Sequence, residues 1–134
     1  MKKTRNAAAL AGRIMLALMF VIAGFGKIPG FADTSVMMTG AGLPAANVLL
    51  VLTILIELGG GAAIMLGWKT RPIALVVFLF TALATVVFHA FWSAPPDKAL
   101  LQQLMFMKNV SVMGGLLVLY AFGPGEYALD DEQD

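Results

Sequence analysis

Four stretches of this chain are so long and so apolar that lipid, not water, is the solvent they suit. They cover residues 7–26, 45–66, 72–92 and 99–122, and none holds more than one charged side chain. A helix of about 20 residues, rising about 1.5 Å per residue, crosses a hydrocarbon core about 30 Å thick. Inside hydrocarbon every backbone N–H and C=O must be paired within its own segment or within a closed barrel. Continuous apolar runs without strand alternation therefore mean helices.

Composition agrees. Of 134 residues, 60% are hydrophobic and 13% charged, and the mean hydropathy is +0.87. A soluble domain carries about twice that charge, and one this small cannot bury so many apolar side chains in a core of its own. The expected fold is all-α, a polytopic membrane protein built as a four-transmembrane-helix bundle, with residues 1–134 forming one domain. The lipid bilayer is its first partner. A net charge of +1 points away from nucleic acid. With no cysteine, the chain itself supplies no disulfide, thiolate metal site, iron–sulfur ligand or thiol nucleophile.

The punctuation fits the same plan. Gly67 stands where a helix ends, Pro72 where the next begins, and Trp68, Phe91 and Trp92 suit the aromatic belt at a membrane interface. Between Pro29 and Pro44 lies the longest connection, in which FADTSVMM reads as a short interfacial helix. Lys2, Lys3, Arg5, Lys69 and Arg71 fall on one side of the bundle, against Lys27 and Lys98 on the other. The positive-inside rule then puts both termini in the cytoplasm. The acidic tail, 126–134, reads as a solvated end. MKKTRNAAALAGRIML resembles the start of a secretory signal, but Arg13 interrupts its apolar region and three further spans follow.

The informative residues are the polar ones inside the spans. From the helical rise, Arg13 lies about 9 Å inside one edge, Glu57 about 18 Å and Lys108 about 12 Å inside the other, and His89 within a turn of it. A charge at a helix centre costs about 2.5–3.5 kcal/mol on insertion scales, so such groups should face the bundle interior. Each has small or hydroxylic companions on its own face: Thr53, Gly60 and Gly61 with Glu57, Ser111 and Gly115 with Lys108, Thr81 and Thr85 with His89. The expectation is a buried polar layer, or ligand-binding site, of Arg13, Glu57, His89, Lys108 and Asn109. In it Lys108 pairs with Glu57, and Asn109, about 100° around the helix, meets a different neighbour. Lys27 is a contact at the outer edge. The surplus positive charge leaves three readings open: Arg13 reaches to the cytoplasm, Lys108 is neutral, or an electron-rich ligand such as a quinone, a lipid phosphate or a small oxyanion is bound.

Other motifs weigh less. Gly59, Gly60, Gly61, Gly114 and Gly115 serve tight helix packing, and GFGK at 24–27 lacks the rest of a phosphate loop. His89 is the only histidine and has no carboxylate cluster around it in sequence, so no metal site is expected and the methionines read as apolar bulk.

AGRIMLALMFVIAGFGKIPGF, LIELGGGAAIMLGWKTRP, FHAF and LMFMKNVSVMGGLLVLYAFGPG, in that order, resemble the DoxX family of small bacterial inner-membrane proteins over about residues 9–125. The resemblance implies a four-helix bundle with both termini inside. Because the family takes its name from membrane components of a thiosulfate:quinone oxidoreductase, it also implies an accessory subunit of a redox system, with a redox partner protein and quinone as the cofactor. No catalytic residue comes with it, and the chain is not expected to catalyse a reaction by itself. A lipid or small-solute binding or transport protein, and a structural membrane module, are the alternatives, and a homo-oligomer is compatible with all three.

Overall fold

The computed structural model describes residues 1–131. Among them the regular elements are all helical. They are α1 (Lys2–Lys27), α2 (Phe31–Gly40), α3 (Ala46–Ile54), a π-helical segment (Leu55–Gly60), α4 (Gly61–Leu66), α5 (Thr70–Phe88), a 3₁₀ turn (Phe91–Ser93) and α6 (Pro96–Phe122). The segments α3, π and α4 run on as one span, Ala46–Leu66, so four helices are long and apolar enough to cross a membrane. The first begins before its apolar run does. Lys2, Lys3 and Arg5 are good helix formers that extend the helix ahead of its apolar stretch, so the start of that stretch is not the helix end.

The ends follow from backbone chemistry. Gly67 (φ 69°) closes α4 with Trp68 N–H bonded to Ala63 O at 2.9 Å and its own N–H to Ile64 O, the paired bonds of a Schellman motif. The Pro95–Pro96 pair opens α6, where a missing N–H costs nothing. The expected short helix in the first connection is α2, packed on α3 over a small cluster of Met38, Ala46 and Leu50.

The main core is thin: Ala17, Phe20, Ile64, Ala74, Val77 and Leu116. Most large apolar side chains, such as Ile22, Leu79, Leu83 and Val118, face outward. Lipid tails wet them as well as other side chains would, so close packing, not hydrophobic burial, must hold the helices together. Gly24 and Gly61 permit it. A Cβ on Gly24 would stand 2.9 Å from Leu58 Cγ and 3.0 Å from Glu57 Cβ, and one on Gly61 2.8 Å from Val21 Cγ2. The α1 helix therefore lies directly on the π segment and α4, α5 and α6 pack along their length, and α1 and α6 scarcely meet.

Candidate functional site

The polar residues inside the spans form several separate clusters instead of one layer. Arg13, 2% exposed, stands at the end of the bundle that carries both termini. Its Nε donates to Ile64 O (2.9 Å), Nη2 to Met65 O (3.2 Å) and Tyr127 O (2.8 Å), and Nη1 to Pro124 O. Ile64 and Met65 belong to the last turn of α4, where the helix dipole concentrates negative charge and carbonyls lack intrahelical partners. A guanidinium fork suits that set of acceptors.

Tyr127 and Pro124 belong to a strap, residues 123–131, that turns back across this end. Glu126 pairs with Lys2 and accepts from Asn6. Leu129 and Asp130 donate their N–H groups to Leu66 O and Gly67 O. The Asp130 carboxylate then accepts from the amides of Lys69 (2.6 Å) and Thr70 (2.7 Å), capping α5, which has no capping side chain of its own. Burial pushes the Asp130 carboxyl up. The hydrogen bonds from Thr70 and Lys69 and the charge of Arg13 outweigh that and hold it below its ordinary value. The expected solvated tail is thus a folded element as far as Asp131, and its last three residues lie outside those described. A sequence cannot show this, because the partners of Asp130 are backbone amides some 60 residues away.

Glu57 sits in the π segment, 6% exposed, and Lys27 Nζ reaches both of its oxygens, at 2.9 and 3.1 Å. Lys27, read from sequence as an edge contact, is therefore the partner that had been expected in Lys108. The α1 helix ends level with Glu57, with α2 following it, and the lysine leans back along its own helix toward Ala23 O. One sequence signal was available. Gly24 and Lys27 share a helix face by i, i+3 spacing, and Gly24 is where the second span makes contact.

Farther along, Asn109 is buried and donates to Thr85 Oγ1 (2.9 Å), while Thr85 and Thr81 bond back to their own helix. Asn109 thus meets a neighbour unrelated to Lys108. His89 ends α5, and its Nδ1 lies 2.7 Å from Gln102 Oε1. Phe91, Trp92 and Phe106 stack edge to face beside that level. Among the described residues no group of acidic and histidine side chains is arranged to hold a metal.

Lys108 corrects the sequence reading outright: it is exposed and belongs to no buried layer. The α6 helix packs chiefly on α5, and the face bearing Lys108 and Ser111 points away. Its Cα lies about 9 Å along the helix from Gln102.

Where α1 and α6 diverge they leave a groove of about 660 Å³ lined by Ala9, Gly12, Arg13, Leu16, Gly115 and Val118, among others. A smaller polar cavity of about 360 Å³ lies beneath the strap, against Lys69, Thr70 and Arg71.

With this geometry in view, the comparisons with known proteins are consistent. Residues 8–90 match the DoxX family model. The chain is 41% identical over 130 residues to Inner membrane protein YqjF of Escherichia coli (strain K12), covering 97% of this chain and 95% of that protein. It is 34% identical over 121 residues to Inner membrane protein YphA of the same organism, covering 90% and 86%. To a Surfeit locus protein 4 homolog of Drosophila melanogaster it is 30% identical over 98% of its own length but only 43% of that protein. No solved structure gives a significant match. The chain belongs to the DoxX family, as an inner-membrane protein whose four apolar helices are able to span the bilayer.

Proposed function

We propose that this protein is an accessory membrane subunit of a quinone-linked redox system, oriented with both termini in the cytoplasm. The Lys27–Glu57 pair carries the reading. An ammonium and a carboxylate in contact within the bundle offer a proton donor and acceptor of the kind a quinone oxygen needs when it is reduced, and π-helical turns recur at functional sites. The chain has no cysteine, so electrons would come from a redox partner protein or a bound cofactor. Orientation follows from Lys2, Lys3, Arg5, Lys69 and Arg71 at the terminal end. Isolation of the chain from its native membranes in mild detergent tests the reading. The expected result is a co-purifying partner with a flavin, haem or iron–sulfur spectrum that reduces added quinone. A chain recovered alone, without such activity, overturns it.

One observation favours a second reading, a lipid or small-solute binding protein without redox chemistry. The groove between α1 and α6 is open to the lipid side.

A further inference from the structure

The α6 helix is the least covered of the four spans, with 17% of its most apolar 18 residues buried against 22–28% in the others, and it is also the least apolar of them. Polar groups within a span face protein and not lipid, so a helix of this kind should be the better covered. Its polar and small residues lie on the uncovered side. Leu100, Leu104, Met107, Ser111, Gly114 and Val118 are all exposed and follow one another at intervals of four and three residues, a stripe opposite the buried Asn109 and Leu116. Ser111 and Gly114 sit at its middle. A Cβ on Gly114 would meet nothing within 4 Å, so this glycine, unlike Gly24 or Gly61, admits no neighbour within the chain. Two polar groups flank the stripe, Gln103 on one edge and Lys108 on the other. Both are exposed, and neither has a hydrogen-bond partner among the described residues. They stand about 140° apart around α6, so they do not meet on one helix.

We propose that this stripe is the interface of a homodimer, in which α6 packs on α6 of a second copy about a two-fold axis along the membrane normal. Copies inserted with the same topology meet there with their α6 helices parallel. In a parallel pair whose contacts repeat every 3.5 residues, the flanking residue before one contact meets the flanking residue five positions later on the other helix. Gln103 of one copy therefore stands beside Lys108 of the partner subunit, twice by symmetry. An ammonium only donates and an amide oxygen accepts, so the face is complementary to itself, and no carboxylate from another protein is needed to satisfy Lys108. Ser111 and Gly114 let the two backbones approach closely. That packing supplies most of the attraction, and the hydrogen bonds at the flanks set the register. The interface depends on neither functional reading.

A chain without cysteine allows a test by single cysteines at exposed positions. Leu104→Cys, Met107→Cys, Ser111→Cys and Gly114→Cys lie on the stripe, while Val110→Cys and Leu117→Cys lie on another exposed side of the same helix. Each full chain is oxidised in its native membranes with copper phenanthroline. A disulfide needs Cβ atoms about 3.5–4.5 Å apart, so the stripe variants are expected to give a species of twice the chain mass at about tenfold the yield of the two controls. Coexpressed Gln103→Cys and Lys108→Cys chains, carrying different tags, should link to each other more than either links to itself. Gly114→Phe, added to Ser111→Cys, should lower its yield about tenfold with the chain still folded by circular dichroism, because the single copy leaves that side open. Equal yields around the helix would mean random collision and overturn the dimer, as would no linked species at any stripe position. Preferential self-linking at 103 or 108 overturns the parallel register. An adduct of any other mass shows a different protein on this face and overturns the second copy.

Discussion

Lys27 and Glu57 form an ion pair between the end of α1 and the π segment of the second span, with Nζ 2.9 Å from one carboxylate oxygen and 3.1 Å from the other. The two residues come from different spans and are brought together because Gly24 lets the backbone of α1 approach Leu58 and Glu57. Removing one member alone should strand the other. Glu57→Gln is expected to destabilise the protein by about 3 kcal/mol, the low end for a buried pair because Lys27 is partly open, while Glu57→Met with Lys27→Met recovers most of the loss. Unfolding in mixed micelles, read by circular dichroism, separates the two; equal losses in single and double variants would mean that the pair does not couple.

Arg13 ties the strap to α4, so Arg13→Lys should release it. Lysine keeps the charge but has three donors and no planar fork, and each charged hydrogen bond lost costs about 1.5–3 kcal/mol. Limited proteolysis is expected to cut the variant within residues 123–131 while leaving wild type intact there.

The depressed pKa of Asp130 sets the sign of a pH effect. Its folded carboxyl titrates below the unfolded value of about 3.9, so its stabilisation is complete above that value and is lost as pH falls through the folded pKa. Protection of the Lys69 and Thr70 amides, measured against the free-peptide exchange rate at the same pH, should therefore be high at neutral pH and fall in acid. Asp130→Ala, which has no acceptor, should lack that protection at every pH and show no acid limb.

Lys108 faces outward, so its removal should not harm the fold. Lys108→Met is expected to leave thermal stability unchanged or raise it, because an exposed cation within a span only adds insertion cost. A loss above about 2 kcal/mol would mean that a contact outside this chain holds it in place.

Topology can be read directly, because a chain without cysteine accepts single labels cleanly. With both termini in the cytoplasm, Asp97→Cys reacts with an impermeant maleimide in intact cells and Lys3→Cys only after lysis. The reverse pattern inverts the orientation.

What the sequence determined by itself was the solvent and therefore the helices. Apolar runs of spanning length can satisfy their backbone in lipid only as helices, and Gly67 and the Pro95–Pro96 pair end and begin them by local backbone preference. The cost of a polar group in lipid pointed to burial for Arg13, Glu57 and Asn109, which are buried, but the same argument failed for Lys108, which stands exposed. Which groups meet was decided only by tertiary structure. Glu57 pairs with Lys27 and not Lys108 because α1 lies on the second span at Gly24, and α6 turns its lysine outward. The strap folds because its acceptors meet a guanidinium and two helix-start amides that only packing assembles. Helical periodicity gives each residue a face, but the rotation of one helix against another is set by close contacts between distant residues, and no single span contains that information.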